Sequence, residues 1–472
     1  MADPIIHGKI LMVSYEDMTI QTLKIKQAIN QHTQLNITAT IPQALKEKYL
    51  DNLTLNSDIE IVKDEDPIFI GMITELNVTK LRDVYTVDIT ALSHTYKMDI
   101  MLNKKSFQYP KMLYGNLIAE IVAQHPDASC MDKITDEDDI IKFPIIQYKE
   151  TDWDFLIRMA SRFNTCLIPN CLSQRIQFYF GFPAIEKGEP AVKHYKVFKD
   201  INKFKKSQQY TSGITENDFI YYQIESENIY DLGDTLQFQS RQMYIIETEY
   251  AYDHGVIKNI CTLCTPVGAK LPRKSNVNIS GCSLFGTVLA TARDNLRIHL
   301  DIDAKQDIAT AFWFPYATMY ASQDETGWYC MPELNDTVRL YFPDDEESGG
   351  MAINSIKPHD PNEDVEKLDP DHRMANTNIK YLRTAYGKEI KFRPNGLDII
   401  AKDGTVFTSM DDDGTVYMNS NNKISFTAVN DIEMKAKNIH MKATDSIEIK
   451  SKSSEIKMKD NIEIQGKNIK NN

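Results

Sequence analysis

The C-terminal part of the chain carries a short apolar pattern that recurs to the end of the sequence. From residue 416 onward, two apolar residues stand at positions i and i+2, and the next pair begins six to nine residues later. A period of two predicts short strands with one buried face, and the polar residues between pairs predict turns. We call the paired residues the apolar ladder. They are Val416 and Met418, Ile424 and Phe426, Ile432 and Met434, Ile439 and Met441, Ile447 and Ile449, Ile456 and Met458, and Ile462 and Ile464.

The ladder does not fit a helix, because residues i and i+2 of a helix point about 200° apart. It also forms only a thin apolar wall, so one chain cannot bury it and the repeats must stack on something else. We therefore predict that residues 381–472 form a trimeric β-helix or β-prism needle whose core is the ladder. A single-chain β-solenoid is the alternative, although it would need longer turns and more glycine.

Two regions in the N-terminal part share a similar order of strands and turns. Residues 1–97 and 206–275 each alternate apolar and polar positions over several short strands, which predicts two related β-barrels. Between them, residues 98–205 contain two helical stripes, one beginning at Leu113 and one at Trp153. This middle region, which we call the insert, is therefore predicted to be a small α+β domain.

The region before the needle alternates clearly over short strands. Leu296, Ile298 and Leu300 share one face, while the residues between them are polar or charged. About 80 residues of such strands, 276–358, predict a small closed barrel such as an OB-fold. Residues 359–380 are predicted to be an acidic linker, and the overall fold class is mainly β with a small α+β part.

Composition and charge narrow the function classes. Lysine and arginine number 53 against 67 acids, giving a net charge of −14, which opposes binding to nucleic acid and to anionic membrane surfaces. No signal-peptide pattern opens the sequence, and seven cysteines are an odd number, so we expect a reduced protein assembled in the cytoplasm.

Several residues could carry chemistry, but each has a simpler structural role. Glu150, Asp152 and Asp154 surround the predicted helix start at Thr151, where acids complement the helix dipole. Sequence patterns of hydrolases, nucleotide-binding loops and zinc proteases are absent from the chain. We therefore predict no catalytic residue, no cofactor site and no metal site, and do not expect an enzyme.

Three possible metal motifs lead to the same conclusion. Cys261 and Cys264 lie three apart on a predicted strand, so their thiols should face opposite sides. Asp411 and Asp413 precede a glycine as in a calcium loop, but Asn422 stands where that loop needs a glutamate. His440 is a single histidine, predicted to lie on the needle surface.

Two motifs resemble VgrG, the spike protein of type VI secretion, and the hub and needle proteins of contractile phage tails. The run from Tyr148 to Ala160, YKETDWDFLIRMA, is similar to a helix of that family. The runs GWYCMPE from Gly327 and DTVRL from Asp336 are similar to its needle-base OB-fold. The apolar ladder matches the family's needle in character.

The resemblance implies a structural homotrimer in which two barrels per chain form a hub that faces a hexameric tube. It also implies baseplate partners, possible effector cargo, release on sheath contraction and a PAAR-type cap at the needle tip. The residues expected to bind the cap are Asn468, Ile469, Lys470, Asn471 and Asn472. The alternatives are a peptidoglycan-degrading spike enzyme and a trimeric receptor-binding fibre, although no aromatic residue follows Phe426 to build a binding head.

Overall fold

The computed structural model describes residues 10–13, 17–42, 57–82, 84–209, 212–226, 228–253, 256–319, 327–356 and 373–458. The chain divides into two compact units, Met1–Pro358 and His359–Asn472, and each unit is described by itself.

Strands dominate both units. They are β1 (Ile10–Met12), β2 (Thr19–Ala28), β3 (Gln34–Ile41), β4 (Asp58–Lys63), β5 (Asp66–Leu81), β6 (Val84–Leu92), β7 (Asn103–Phe107), β8 (Ser129–Asp132), β9 (Ile145–Glu150), β10 (Leu167–Pro169), β11 (Gln177–Phe180), β12 (Val192–Lys199), β13 (Ile220–Ser226), β14 (Thr235–Phe238), β15 (Arg241–Asp253), β16 (Val256–Cys264), β17 (Ser283–Ala292), β18 (Asn295–Leu300), β19 (Trp313–Ala317), β20 (Thr337–Tyr341), β21 (Met351–Ile356), β22 (Lys380–Arg383), β23 (Glu389–Arg393), β24 (Gly396–Ala401), β25 (Val406–Asp411), β26 (Val416–Asn419), β27 (Ile447–Ser451) and β28 (Ser454–Met458). The α-helices are α1 (Tyr114–Val122), α2 (Asp152–Arg162) and α3 (Ile201–Ser207).

The largest sheet joins the two regions predicted as related barrels. Its strands follow the order β1-β4-β5-β6-β3-β2-β15-β16-β13-β12, and β14 pairs with β15. The link between the two regions is the antiparallel pair β2–β15, in which Ile25 lies opposite Tyr250. Alternation sets the buried face, since Leu35, Ile37, Ala39 and Ile41 of β3 are all buried. The two predicted regions are thus continuous through backbone hydrogen bonds.

The insert between these strands has its own core. Helices α1 and α2 pack with the small sheets β7–β9 and β10-β11-β8 around buried aromatic side chains. Trp153, Phe155 and Phe178 are fully buried there. Both helical stripes predicted from the sequence form helices in the structure.

The predicted OB-like region forms a closed five-stranded barrel in the order β17-β18-β19-β21-β20. Leu296, Ile298 and Leu300 fill its interior, as their alternation predicted. Gly286 on β17 allows close packing in the barrel wall, because a Cβ there would lie 2.6 Å from the backbone oxygen of His299.

The second unit begins with a five-stranded antiparallel meander, β22 to β26. Its tight turns contain Gly404 and Gly414, both with positive φ near 85–88°, which glycine adopts without strain. The strands β27 and β28 then form a separate two-stranded hairpin. The structure assigns no strand to residues 420–446, where the ladder predicted three. A strand needs a hydrogen-bonding neighbour, and within one chain these segments have none.

Candidate functional site: a buried ion network and the apolar ladder

Helix α2 carries the family-like motif and positions its charged side chains. The hydroxyl of Thr151 accepts a hydrogen bond from the Asp154 backbone N–H at 3.1 Å, which caps the helix as predicted. Trp153 and Phe155 hold the helix in the insert core. Arg158 lies two turns from the cap and is only 2% exposed, although it is charged. A buried arginine requires partners for its donors.

The partners of Arg158 are two glutamates. Its Nε and Nη2 atoms donate to the two carboxylate oxygens of Glu150 at 2.8 and 2.9 Å. Its Nη1 donates to Oε1 of Glu347 at 2.6 Å, and Nη2 also donates to the Ile146 carbonyl at 2.9 Å. The guanidinium is therefore held on all three nitrogen atoms, a geometry that lysine cannot reproduce.

Glu347 brings the OB barrel into this network. It lies in a short 3-10 turn, Glu347–Gly349, between β20 and β21. Its second oxygen accepts from Nη2 of Arg162 at 2.8 Å. We call Glu150, Arg158, Arg162 and Glu347 the junction network, because it joins helix α2 of the insert to the barrel.

Burial and the neighbouring arginines shift the pKa values of the two glutamates in opposite directions. Burial would raise the pKa of Glu347, but Arg158 and Arg162 outweigh it and hold the pKa below its ordinary value. Burial raises the pKa of Glu150 more than Arg158 lowers it. Burial likewise opposes the charge of Arg158, yet the two carboxylates raise its pKa further, so the guanidinium stays charged.

Other hydrogen bonds reinforce the same contact between insert and barrel. The backbone N–H and hydroxyl of Ser106 on β7 both donate to the carboxylate of Asp303, which follows β18, the former at 2.8 Å. The Gln108 amide donates to the Ile298 carbonyl at 3.2 Å. The Asn276 amide, just before the barrel, donates to Glu150 at 3.1 Å. These bonds fix the barrel firmly against the insert.

Sequence reasoning missed the junction network. Arg158 is part of the family-like motif, and Glu347 stands in an acid-rich stretch, 344–371, in which no residue pattern distinguishes one acid from another. The structure places Glu347 at 4% exposure and strand β21 just after it in the barrel. No local pattern marks Arg158, because at five residues from Trp153 and one from Ile157 it stands off the predicted apolar stripe.

The acids at the start of α2 have structural partners. Asp152 accepts hydrogen bonds from Asn103 and Gln147, both at 2.8 Å, and contacts His125 at 2.7 Å. It is buried, as is Glu150. Asp154 lies in the first helical turn. Asp152 and Asp154 thus stand in the first turn of α2, where acids complement the helix dipole, whereas Glu150 belongs to the junction network.

Thr95, His32 and Asp99 form a hydroxyl–imidazole–carboxylate trio, the order of groups found in enzymes that activate a nucleophile. Nδ1 of His32 lies 2.8 Å from the hydroxyl of Thr95, and its Nε2 lies 3.2 Å from Asp99. However, Thr95 is completely buried, and the His32 ring packs on Trp153 with centroids 4.7 Å apart. Since no substrate can reach the hydroxyl, this trio stabilises the packing of the insert against the large sheet.

The cysteine and aspartate motifs also take structural positions. Cys261 and Cys264 on β16 belong to different buried clusters, which shows that their thiols face opposite sides of the strand. Burial raises the pKa of each thiol to about 12. Asp411 binds Arg393 at 2.7 Å, and Asp413 accepts from the Thr415 N–H in a turn. Among the residues that the structure describes, no three His, Cys, Asp or Glu side chains form a metal-binding group.

The described ladder residues share one property in a single chain: their apolar side chains are exposed. Most are about half exposed, from 49% for Ile424 to 68% for Phe426. The exposed members are Val416, Met418, Ile424, Phe426, Ile432, Met434, Ile439, Met441, Ile449 and Ile456. Ile447 and Met458 are partly exposed. Ile462, Ile464 and the predicted cap-binding residues 468–472 lie outside the described residues.

The hairpin β27–β28 separates an apolar face from a charged face. Ile447 lies opposite Met458 and Ile449 opposite Ile456, so apolar side chains pair across the strands. The intervening residues form ion pairs, including Lys457 to Glu448 at 2.7 Å. In this segment the apolar and charged residues alternate with a period of two. A hairpin with one bare apolar face is marginally stable alone and needs another surface to cover it.

Comparison with known proteins places this arrangement in context. Residues 285–356, which include most of the closed barrel and Glu347, match the type VI secretion system/phage-baseplate injector OB domain. The chain is similar to the E. coli c3393 protein, described as a type VI secretion component with structural similarity to T4 bacteriophage tail proteins gp27 and gp5. The TM-score is 0.54 at 11% identity, covering 74% of this chain and 100% of that one.

A chain of the half-lidded Francisella PdpA–VgrG complex matches with a TM-score of 0.54 at 9% identity, over 86% of this chain and 84% of that one. The lidless PdpA–VgrG complex gives 0.53 at 9% identity, over 86% and 94%. The fold is VgrG-like. The mainly β fold class with an OB barrel, predicted from the sequence, is thereby confirmed. None of the curated proteins matches the sequence.

In this VgrG-like chain the junction network lies where the injector OB domain meets the insert. No described helix is long and apolar enough to cross a membrane. Two sets of residues therefore stand out in the described structure. The junction network joins the OB barrel to helix α2 of the insert, and the ladder leaves apolar side chains exposed.

Proposed function

We propose that this protein is the structural trimeric spike of a contractile injection machine. Its N-terminal sheet and insert form the hub, and the region after the OB barrel forms the needle. The observation that carries the proposal is the exposed apolar ladder in a chain that also contains an injector OB domain. A needle of three chains would cover the ladder that one chain leaves bare.

The apolar area of the ladder and the symmetry of three chains around one axis support the proposed trimer. Each ladder residue buried between chains contributes about 1.5–3 kcal/mol before the entropy cost is subtracted. Three copies around one axis would place the apolar faces inward and leave the Glu448 and Lys457 charges in water. The segments 420–446, which lack a strand in one chain, would then gain neighbours for hydrogen bonding.

The hub is proposed to join a three-fold needle to a hexameric tube. Two similar strand regions per chain give six tube-facing units in a trimer. In the described structure these regions form one continuous sheet through the β2–β15 pair, which suits a rigid collar. The junction network would pass the thrust of the tube from this collar to the OB barrel and on toward the needle.

The proposed role is mechanical rather than catalytic. The acids that cluster near the start of α2 are buried and hydrogen-bonded to protein groups. They are Glu150, Glu347 and Asp152. The proposed partners are baseplate proteins, effector cargo and a PAAR-type cap bound to residues 468–472. The spike is proposed to assemble in the bacterial cytoplasm and to leave it when the sheath contracts.

Complementation in a host that lacks this gene tests the proposal. Export of the tube protein into the medium should stop in the deletion strain and return with the wild-type chain. Ile449→Asp, which puts a charge on the ladder, should not restore export, whereas Glu448→Ala on the opposite face should. Export without the chain would overturn the proposal. Digestion of peptidoglycan or binding to whole cells by the purified chain would support an enzyme or a receptor-binding fibre instead.

A further inference from the structure

Strand β12 forms one edge of the large sheet, and the proposed hub function assigns no role to this edge. It is the last strand of the sheet order, and among the described residues only β13 pairs with it. It spans Val192–Lys199. An edge strand presents alternate N–H and C=O groups that lack a partner, and these can bind another extended chain.

The side chains of this edge are exposed on both faces. Tyr195 and Val197 share one face and are 55% and 49% exposed, while Phe198 on the other face is 39% exposed. His194 and Lys196 are exposed beside Phe198. The neighbouring strand β13 supports the ring of Phe198, which stacks on Tyr221 with ring centroids 5.3 Å apart. The strand therefore offers apolar contacts on a supported surface.

The local charge is opposite to that of the whole molecule. Between Val192 and Lys206 the sequence carries six lysines and one acid, in a chain with a net charge of −14. Lys203 donates to the Gly268 carbonyl at 2.8 Å, and Lys199, although exposed, donates to the amide oxygen of Asn217 at 3.1 Å. Lys196, Lys205 and Lys206 are also exposed. The neighbouring strand β13 adds one acid, Glu225, opposite His194, and the turn Glu216–Phe219, which contacts β12, adds Glu216 and Asp218. Lysines remain in excess over acids at this edge.

We propose that β12 binds an acidic, extended segment of a partner protein by strand addition. Backbone hydrogen bonds at the open edge provide the affinity. Alternate apolar side chains of the segment contact Tyr195 and Val197 on one face, and the acids between them meet His194 and Lys196 on the other face. The lysines select the partner, because they repel a second copy of the same edge and attract acids. This inference does not depend on the trimer or on the needle.

A labelled peptide of alternating glutamate and valine, as long as β12, tests the proposal by fluorescence anisotropy with the full-length protein. The acidic peptide should bind, and a matching lysine–valine peptide should not. The double variant Lys196→Glu/Lys199→Glu should weaken binding by at least about tenfold. The control is Lys133→Glu/Lys142→Glu, which makes the same charge change at exposed positions of the insert and should leave binding unchanged.

Hydrogen exchange distinguishes strand addition from simple charge attraction. Bound peptide should slow exchange at the outward-pointing amides of residues 192–199, and alternate N-methylation of the peptide should abolish this protection. Binding without protection of these amides would overturn the proposal. Equal binding of single-stranded DNA, lost in the same double variant, would assign the surface to nucleic acid and would also overturn it.

Discussion

Replacing Arg158 by methionine should destabilise the first unit strongly. The change removes the four hydrogen bonds that the guanidinium donates to Glu150, Glu347 and Ile146. Glu347 keeps Arg162 and the Ile146 N–H, but Glu150 keeps only Asn276 of the contacts described above. Removing one partner of a buried ion pair costs about 3–5 kcal/mol, because the other charge is left without compensation.

A matched control comes from the same contact region. Arg273 pairs with Glu346 at 2.7 Å, and both side chains are nearly half exposed. Arg273→Met should therefore lower the free energy of unfolding by no more than about 1 kcal/mol. Combining Arg158→Met with Glu150→Gln should recover part of the larger loss, since the unpaired charge is then removed.

Urea unfolding of the full-length variants at equal protein concentration measures these differences. Trp153 is a suitable reporter, because it is 1% exposed and lies on the same helix as Arg158. Its fluorescence should shift to the red at a lower urea concentration in Arg158→Met than in the wild type or in Arg273→Met. If the two methionine variants unfold at the same urea concentration, the junction network does not stabilise the fold as argued.

Three further predictions concern the ladder, the pH dependence and the tip. Ile449→Asp should destroy resistance to heat and detergent by placing three like charges near one axis, whereas Glu448→Ala should retain it; equal resistance would argue against an inward-facing Ile449. Because Glu347 has a lowered pKa in the folded state, its contribution is complete above its ordinary value of 4.5 and is lost as pH falls through the folded value. The gap in melting temperature between wild type and Glu347→Gln should thus shrink in acid, and a constant gap would contradict this. Removing residues 466–472 should leave the trimer folded but prevent co-purification of a PAAR-type cap, and retention of the cap would refute the tip assignment.

Local alternation was sufficient to predict much of the fold. The positions of Leu296, Ile298 and Leu300 indicated the barrel, and the Thr151 cap with its following stripe indicated α2. Asp403-Gly404 and Asp413-Gly414 are dipeptides typical of hairpin turns, and both glycines lie in turns of the meander. Each of these features depends on residues that are close in sequence, so the pattern itself contains the physical cause.

The junction network could not be predicted in the same way. Arg158 and Glu347 are 189 residues apart, and nothing in the composition around Glu347 distinguishes it from the exposed acids that surround it. Which acid enters the interior is decided by the geometry of the closed barrel against the insert. The β2–β15 pairing is similar, since sequence patterns define strands but not which distant edges meet.

The mass of the purified full-length protein under native conditions tests the central claim most directly. A spike whose ladder is buried between chains should have three times the chain mass of 54.1 kDa, with no folded species of smaller mass. Ile449→Asp should shift this population toward single chains, while Glu448→Ala should not. A stable, folded, full-length monomer would contradict the trimeric needle.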